Sequence, residues 1–394
     1  MVRHRNIRLL MMFNFLVDFR FYNTVAILYF ARVSGSFAAG MMIFSITMLS
    51  AALWEVPTGV LSDRVGRKRT VMYGAVASTA ALVFYAIGGT FAALAVGGIL
   101  EGLSRALYSG NNDALLYDTL AETHHEAQFA DYAGRTRSMF QAAAAVAGIT
   151  GGLLAAISYP LVMWLSVIPQ ALSIVVSLSF YEPPQKEAIE QNPFAHLRDS
   201  FRLVWSNPRL CLLTLADALS GSVGEASYQF RSAFIETLWP VWAIGLARTI
   251  AHTLGAIGFY FAGPIIRRFG EYRLLVGGIT LSETVNFLSL LFPTILSPLF
   301  MSANSIFYGI NSTAANTLMQ HEFTSAQRAT MGSITSFATS LLFAIAAPLL
   351  GAMADAWGPR TALMITSAAS VTWIYVYARA LGTTSKQAVA IESV

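Results

Sequence analysis

Charged residues are scarce in this chain of 394 residues, since Asp, Glu, Lys and Arg together make up only 12% of it. In soluble globular domains their share is about a quarter. Apolar residues make up 55%, and the mean hydropathy is +0.57. They form runs long enough to cross a bilayer as helices, which takes about 20 residues each. The composition therefore excludes a soluble globular protein and predicts an all-α, multi-pass membrane protein.

Cysteine and the motifs of soluble catalysis are also missing. A single cysteine, Cys211, excludes an intramolecular disulfide. The chain has no phosphate-binding loop of the Gly-x4-Gly-Lys-Ser/Thr type and no hydrolase or zinc motif, so we expect neither an ATP-driven pump nor an enzyme, and no cofactor or metal. The basic residues lie beside apolar runs instead of on one polar face, which excludes nucleic acid as a partner.

Twelve apolar segments are long enough to be membrane-spanning helices. One polar linker, residues 181–208, separates the sixth from the seventh, and it divides the chain into an N-terminal bundle, residues 1–180, and a C-terminal bundle, residues 209–394. The predicted spans are 7–31, 37–60, 70–88, 91–117, 134–156, 160–180, 209–235, 239–265, 272–292, 296–320, 329–353 and 360–382.

The basic residues outside the spans are distributed unequally over the two sides of the membrane. Loops on the side of the termini hold 19 of the 25 Lys and Arg residues, whereas the opposite loops hold only Arg32 and Arg360. Basic loops stay in the cytoplasm. The bias therefore predicts that both termini are cytoplasmic and that the protein lies in the inner (cell) membrane.

The connection between the second and third spans carries the most specific motif. It reads Gly59-x-Leu61-x-Asp63-Arg64-x-Gly66-Arg67-Lys68-Arg69-x-Val71, in which Gly59 permits close helix contact and Gly66 a tight turn. This order resembles the loop signature of the major facilitator superfamily, and the resemblance implies a cytoplasmic latch. We expect Glu55 to join the latch by pairing with Arg64 or Arg67, and Asp118 to lie beside the bases. The predicted latch residues are Glu55, Gly59, Asp63, Arg64, Gly66, Arg67, Lys68, Arg69 and Asp118.

The spacing of this signature recurs in the second half. An echo 204 residues later reads Gly263-x3-Arg267-Arg268-x-Gly270-x2-Arg273, and a shorter third copy reads Gly351-x3-Asp355-x2-Gly358. Internal similarity of this kind is typical of transporters that are built from structural repeats. It extends the resemblance to the whole chain and predicts two pseudo-symmetric six-helix halves.

The fifth span contains a run of small residues, Ala147-Gly148-Ile149-Thr150-Gly151-Gly152. The run is similar to the Gly-Pro-x-x-Gly-Gly motif of drug–proton antiporters in the superfamily, although Ala-Gly replaces Gly-Pro. Its paired glycines keep the resemblance to the antiporters, whereas the replaced Gly-Pro departs from it, and small residues permit tight helix packing in either class of transporter.

Eleven charged residues fall inside or at the edge of the predicted spans. Each costs about 2.5–3.5 kcal/mol at the centre of a lipid-exposed helix, so these residues must pair or face water inside the protein. This requirement predicts a polar transport pathway. The predicted proton-coupling and substrate residues are Asp18, Arg20, Glu101, Arg105, Asn112, Asp113, Asp217, Glu225, Arg231, Arg248, His252, Asn304 and Asn311.

Helical spacing assigns some of these residues to faces. In the first span Asn14, Asp18 and Tyr22 share one face and Arg20 points away, so Asp18 and Arg20 each need a partner on another helix. In the fourth span Glu101 and Arg105 are spaced to pair. Polar stripes also follow the seventh and tenth spans, and spans 1, 4, 7 and 10 are the cavity-lining helices of the superfamily that the chain resembles.

Three side chains are candidates for carrying a coupling proton. Glu101 or Asp18 could be protonated in step with substrate exchange, and the alternative for each is a permanent ion pair with an arginine. His252 could carry the proton, because the unperturbed pKa of histidine lies near neutrality, or it could be a neutral hydrogen-bonding residue.

The sequence favours a secondary active transporter that exports small amphipathic compounds in exchange for protons by alternating access. A second hypothesis is proton symport or facilitated uptake of a small polar or anionic solute, which the four intramembrane arginines would suit. A third is a non-transporting membrane sensor on the same fold. The expected partners are a small-molecule substrate, protons and the lipid bilayer, and we expect a monomer.

Overall fold

The computed structural model describes residues 2–122, 124–125, 128–183, 205, 208–322 and 325–391, and their regular secondary structure is entirely helical. Most of the predicted linker, residues 181–208, lies outside the described residues. The helices of the first half are α1 (Val2–Asp18), α2 (Ala26–Ser34), α3 (Phe37–Val65), α4 (Arg67–Ile87), α5 (Phe91–Tyr108), α6 (Asn111–Ala121), α7 (Phe129–Ala155) and α8 (Tyr159–Leu178).

The second half begins its helices at Pro208. A short turn, Glu271–Arg273, and a π-helix, Leu274–Gly278, lead into α11. The helices are α9 (Pro208–Ile235), α10 (Val241–Phe269), α11 (Ile279–Leu291), α12 (Ser297–Ala303), α13 (Ser305–Glu322) and α14 (Ser325–Ile391).

All twelve predicted spans are found among these helices, so the prediction of an all-α membrane protein with twelve spans is confirmed. By length and composition alone, eight helical stretches of the described residues are apolar enough to cross a membrane, and one of them, Ile334–Arg379, contains the last two spans. The first, seventh and tenth spans fall outside this set. The seventh carries four charged residues, Arg209, Asp217, Glu225 and Arg231, and the first and tenth are each split into two helices.

Three spans that the sequence predicts as continuous helices are in fact broken. The first span ends its helix at Asp18 and resumes at Ala26, after a 3-10 turn over Phe21–Thr24. The fourth breaks at Ser109 and Gly110, where Gly110 adopts a φ of +71°. The tenth breaks at Asn304. The pattern of apolar residues in the sequence does not reveal these breaks, because an apolar run continues on both sides of each.

The internal repeat is visible in the backbone. Gly66, Gly270 and Gly358 hold equivalent places in the three copies of the signature, and their φ angles are +98°, +77° and +84°. Left-handed backbone of this kind favours glycine, which has no Cβ. At Gly358 the backbone leaves helical geometry, so α14 consists of two helices that meet at a kink. Each copy therefore forms the turn between two spans.

The chain folds into two compact units, Met1–Glu190 with Trp239–Thr249, and Gln191–Leu238 with Ile250–Val394. The core of unit 1 packs α1 against α4, α6 and α8 through buried residues that include Phe13, Val71, Leu116 and Val176. The core of unit 2 is built around buried residues that include Leu213, Ala262, Leu275 and Trp373.

Candidate functional site

A buried carboxylate, that of Glu101 on α5, is the centre of a polar network in unit 1. Its Oε1 accepts hydrogen bonds from Arg20 Nη1 and Arg105 Nη2, both at 2.8 Å. Its Oε2 accepts from the hydroxyls of Tyr22 at 3.0 Å and Tyr85 at 2.9 Å. Only 4% of the Glu101 side chain is exposed. Both oxygens of this carboxylate are therefore occupied by donors.

The break after α1 makes this network possible. The predicted placement of Arg20 on the opposite face from Tyr22 is wrong, because the helix ends at Asp18 and both side chains reach Glu101. Arg20 Nε also donates to the carbonyl of Val17 at 2.7 Å. A buried guanidinium needs a counter-charge and acceptors for its donors. Leaving the helix satisfies both needs of Arg20.

Polar side chains from two more helices hold the end of α1. Gln170 on α8 donates to the carbonyls of Leu16 and Val17 at 2.9 and 3.0 Å, while Ser78 on α4 accepts from Arg20 Nη2 at 3.2 Å and donates to Gln170 Oε1 at 2.7 Å. These bonds satisfy carbonyl groups that a helix end leaves without partners. Our sequence reasoning missed Ser78, Tyr85 and Gln170, although polar groups inside apolar spans were a usable signal.

A cavity of about 410 Å³ lies beside this network in unit 1. Its volume falls in the range of pockets for small ligands. The broken backbone at Ser109 and Gly110 forms part of its wall, and Val17 and Phe140 provide apolar surface. Of the predicted site residues, the cavity is lined by Asp18, Arg20, Arg105, Asn112 and Asp113, and Asn14 and Tyr108 from the predicted polar faces line it too.

Four charged residues line this cavity, and two of them, Asp18 and Arg105, are of opposite sign and are not saturated by hydrogen bonds to described residues. Arg105 pairs with Glu101, as its spacing predicted, but 42% of its side chain is exposed and Glu101 is shared with Arg20. The carboxylate of Asp18 has no ion pair or hydrogen bond with any residue that the structure describes, so the partner expected for it on another helix is not found. Spacing in the sequence could not show that the carboxylate of Glu101 has a donor at each oxygen whereas that of Asp18 has none among the described residues.

The other predicted residues of the first unit have local roles. Asn112 Nδ2 donates to Asn14 Oδ1 at 3.3 Å, and Asn14 Nδ2 donates to the carbonyl of Thr136 at 3.2 Å. Asp113 lies in the first turn of α6, where the helix dipole favours a negative charge. Arg248, on the part of α10 that belongs to unit 1, is buried with 8% of its surface exposed.

In unit 2 the predicted acids take part in separate hydrogen bonds. Tyr377 donates from its hydroxyl to Asp217 at 3.2 Å, and Gln229 donates to Glu225 at 2.7 Å. The first bond links α9 to the last span, and the second joins two residues of α9. They do not bring Asp217 and Glu225 into one network among the described residues.

The remaining predicted residues of unit 2 also lie in local contacts. Arg231 Nη1 donates to the carbonyl of Met301 at 2.9 Å, and the hydroxyl of Tyr228 lies 3.0 Å from His252 Nε2. Asn304, at the break of the tenth span, donates to Ser282. The side-chain oxygen of Asn311 is buried and has no hydrogen-bond partner among the described residues.

The signature loop holds its bases by contacts within unit 1. Arg67 pairs with Asp63 at 3.2 Å and donates from Nη1 to Ser62 at 2.8 Å and to Asn111 at 3.2 Å. Ser62 also donates to Asn111. These contacts connect α3 and α4 to the first turn of α6. The predicted latch therefore has an acid–base pair, and the sequence reasoning missed Ser62 and Asn111 as parts of it.

Glu182, just after α8, is a further residue of this loop that the sequence did not indicate. Its two carboxylate oxygens accept from the backbone amides of Arg67 and Lys68 at 2.8 and 2.9 Å. It thus caps the N-terminus of α4, where amide groups otherwise lack acceptors. A Cβ at Gly66 would approach this carboxylate to 2.9 Å. Gly66 is therefore required both by its backbone angle and by the position of Glu182.

Two predictions about the latch disagree with the structure. Glu55 makes no ion pair with Arg64 or Arg67 among the described residues; nine positions along a helix separate it from Arg64, or about 13 Å at 1.5 Å per residue. Gly59 is not at a close helix contact, since a Cβ there would meet no described atom within 4 Å. Arg64 and Arg69 are exposed, and Asp118 lies on α6, which the loop contacts through Asn111.

We expect Glu182→Ala to lower the free energy of unfolding by about 1 kcal/mol, because two amides at the start of α4 lose their acceptor. Thermal unfolding of the purified protein in detergent measures the change. Glu122→Ala is the matched control, since Glu122 accepts a single exposed bond from Tyr181, and we expect it to leave the melting temperature unchanged. Equal melting temperatures for the wild type and Glu182→Ala would contradict a capping role.

The small residues of the fifth span pack at very short distance against the start of α10. A Cβ on Gly152 would collide with the carbonyl of Trp242, and one on Gly148 would lie 2.7 Å from Thr249 Oγ1. Thr249 in turn donates to the carbonyl of Ala145 at 2.7 Å. The expectation of tight packing at these glycines is confirmed.

Replacing Gly152 with alanine is expected to reduce the amount of folded protein and its melting temperature, because its Cβ would meet backbone instead of a movable side chain. Gly134→Ala is the control on the same helix, where a Cβ meets no described atom within 4 Å. Because alanine favours a helix over glycine by about 1 kcal/mol, this control should be neutral or stabilising. Fluorescence-detected size-exclusion chromatography after heating compares the two, and equal stability would refute the close contact.

Solved transporters share this fold. The nucleoside transporter NupG matches with a TM-score of 0.83 and 14% identity, over 97% of this chain and 99% of that one. A bacterial homologue of the human lysosomal transporter Spinster, inward-facing and unoccupied, matches with a TM-score of 0.81 and 16% identity over 98% of both chains. An auto-inhibited peptide transporter of the POT family has a TM-score of 0.74 and 11% identity over 96% of both. At these identities the likeness shows the fold alone.

One curated relative is also similar in sequence. The chloramphenicol resistance protein CraA of Acinetobacter baumannii is 25% identical over 193 residues, which are 48% of this chain and 44% of CraA. The match thus spans less than half of that relative. The sequence model of the Major Facilitator Superfamily, by contrast, matches residues 9–342. Together with the twelve spans and the fold, this match establishes that the chain is a transporter of the Major Facilitator Superfamily.

Proposed function

We propose that the protein exports small amphipathic compounds in exchange for protons by alternating access. The observation that carries this proposal is the open carboxylate of Asp18 in the cavity of unit 1. An unpaired acid in a span is costly, and such residues mark proton and substrate pathways. The name of CraA, a chloramphenicol resistance protein, favours export over uptake.

Asp18 suits the role of proton carrier better than Glu101 does. Protonating Glu101 would weaken two charged and two phenolic hydrogen bonds at once and leave Arg20 buried without its counter-charge. Protonating Asp18 disturbs no such bond among the described residues. We therefore assign proton exchange to Asp18 and a positioning role to Glu101, which fixes the guanidinium of Arg105 at the cavity wall.

This arrangement supports exchange of substrate against protons. When Asp18 is ionised, it attracts a positive or hydrogen-bond-donating group of the substrate. When Asp18 is protonated, that attraction is lost. Because a proton and the substrate group compete for the same carboxylate, each conformational cycle carries them in opposite directions. His252, beside the hydroxyl of Tyr228 in unit 2, is proposed as a hydrogen-bonding residue.

The membrane location, the side of the termini and the oligomeric state are part of the same proposal. The excess of basic residues in one set of loops supports an inner-membrane protein with cytoplasmic termini. We propose a monomer, because one chain supplies all the residues of the network and the cavity.

A second candidate function is proton symport or facilitated uptake of a polar solute. The exposed guanidinium of Arg105 favours it, because an anion would bind there together with a proton on Asp18 and both would move in the same direction. Two of the structural neighbours are described as a nucleoside transporter and as a POT family transporter in complex with 5-aminolevulinic acid. Their names are compatible with solute uptake.

Inverted membrane vesicles with an acidic interior distinguish the two functions. A pH-gradient dye reports proton movement while lipophilic cations, anions, zwitterions and sugars are added singly. We expect an exported compound to collapse the gradient in vesicles with the wild type and not with Asp18→Asn. Glu283→Gln is the matched control, because this carboxylate lies in a span of unit 2, accepts a bond from Ser367 at 2.8 Å and does not line the cavity. A silent panel, with direct binding of a polar solute, would favour uptake.

A further inference from the structure

We propose that the cavity of unit 1 takes a zwitterionic amphipathic compound, whose oxyanionic group binds at Arg105 and whose cationic group binds at Asp18. This inference rests on the proposed function, since it takes the cavity to be the substrate site. It adds the chemical class of the substrate, argued from the charges that line the cavity.

Arg105 is built to receive an oxyanion. Its Nε and Nη2 both donate to Glu101, at 3.3 and 2.8 Å, so the orientation of the guanidinium is fixed. Its Nη1 makes no hydrogen bond with a described residue, and 42% of the side chain is exposed. The carboxylate of Glu101 carries one negative charge for two arginines. The network of Arg20, Glu101 and Arg105 therefore keeps one net positive charge, and Arg105 is its exposed part.

Asp18 supplies the complementary charge on the same cavity wall. Its carboxylate has no ion pair or hydrogen bond with a described residue and lines the cavity. An ammonium group needs hydrogen-bond acceptors, and the two carboxylate oxygens of Asp18 offer them.

The pair of charges selects against simpler ligands. A compound with only a cation would leave Nη1 of Arg105 without an acceptor and would lie near a positive charge in a medium of low dielectric. A compound with only an anion would leave Asp18 unpaired, and it would not compete with a proton there. A zwitterion satisfies both side chains and still exchanges against a proton at Asp18. Val17 and Phe140 give its apolar part a surface to contact.

Matched probes with one aromatic body separate these classes. The zwitterions phenylalanine, tyrosine and tryptophan are compared with their amines, phenethylamine, tyramine and tryptamine. They are also compared with the acids 3-phenylpropionate, 3-(4-hydroxyphenyl)propionate and indole-3-propionate. Binding to the purified full-length protein is measured at neutral pH. We expect at least one zwitterion to bind about tenfold more tightly than both its amine and its acid, which corresponds to 1.4 kcal/mol.

Variants then assign the two charges. Arg105→Gln is expected to weaken the zwitterion to the Kd of its amine, and Asp18→Asn to weaken it to the Kd of its acid. Arg105→Lys keeps the positive charge, so it should retain part of the preference for the zwitterion over its amine. This variant tests the role of the charge if Arg105→Gln does not fold. Glu283→Gln should leave all Kd values unchanged.

Several results would overturn this ligand class. They are equal binding of zwitterion and amine in every series, no binding in any series, or an equal loss of all ligands in Arg105→Gln. The vesicle assay separates this failure from that of the proposed function. Zwitterions that bind in the expected pattern without collapsing a pH gradient would support the ligand class and refute proton-coupled export. Collapse by amines alone would overturn the ligand class and keep the export function.

Discussion

Glu101→Gln is expected to lower the free energy of unfolding by about 3–5 kcal/mol, because breaking a buried ion pair leaves one charge uncompensated. That charge is Arg20, of whose side chain only 5% is exposed. The glutamine would keep partners for some donors, but it would not neutralise a guanidinium. Thermal unfolding in detergent, followed by the loss of monodisperse protein, measures the effect.

Arg105→Gln serves as the comparison for this prediction. It removes the other ion pair of the same carboxylate, yet 42% of the Arg105 side chain is exposed, so water compensates a larger part of the loss. We expect a smaller decrease in melting temperature than for Glu101→Gln. The double variant Arg20→Met with Glu101→Gln removes both buried charges and should recover part of the stability. If the two single variants melt alike, Glu101 is not the centre that holds the break after α1.

The sequence predicted the spans, the signature turns and several contacts correctly for physical reasons that are local. Spans follow from uninterrupted apolar length, and Gly66, Gly270 and Gly358 follow from a turn that needs left-handed backbone. The pairing of Arg105 with Glu101 follows from helical spacing alone. None of these inferences requires knowledge of which helices are neighbours.

The breaks and the network were beyond such local reasoning. Apolar runs lie on both sides of Asp18 and of the polar segment around Gly110, so the pattern favoured continuous helices. The helix ends where it does because Arg20 finds Glu101, 81 positions away, and because Gln170 from α8 satisfies the carbonyls it leaves open. Tertiary partners outweighed local preference here. The role of Glu182 as a cap likewise depends on α8 ending beside the start of α4.

The sequence predicted which residues belong to the candidate site, but it did not predict which of the acids carries the proton. Asp18 and Glu101 are equivalent in sequence terms, since both are acids on polar faces of cavity-lining spans. The structure separates them by their partners: Glu101 accepts from two arginines and two tyrosines, whereas Asp18 faces the cavity without a partner among the described residues. The proton is therefore expected on Asp18, because its protonation breaks no hydrogen bond or ion pair with a described residue.

Asp18→Asn should abolish the pH dependence of substrate binding. In the wild type, a proton on Asp18 competes with the cationic group of the ligand, so affinity falls as the pH is lowered through the titration of this carboxyl. The slope approaches about tenfold for each pH unit when one proton is displaced. Asparagine cannot take up that proton, and the variant should bind weakly and equally at every pH. Equilibrium binding at a series of pH values, with the ligand kept in one charge state, provides the measurement.

The matched variant for this test is Glu283→Gln, which removes a carboxyl from a span outside the cavity and should keep the slope of the wild type. Glu101→Asp is informative as well, because it retains a charge for Arg20 and changes only the geometry. A shifted midpoint of the pH profile in Glu101→Asp, with an unchanged profile in Asp18→Asn, would transfer the proton to Glu101. The ion pair between Arg20 and Glu101 would then break in each transport cycle. Arg20 would need another acceptor each time the proton binds.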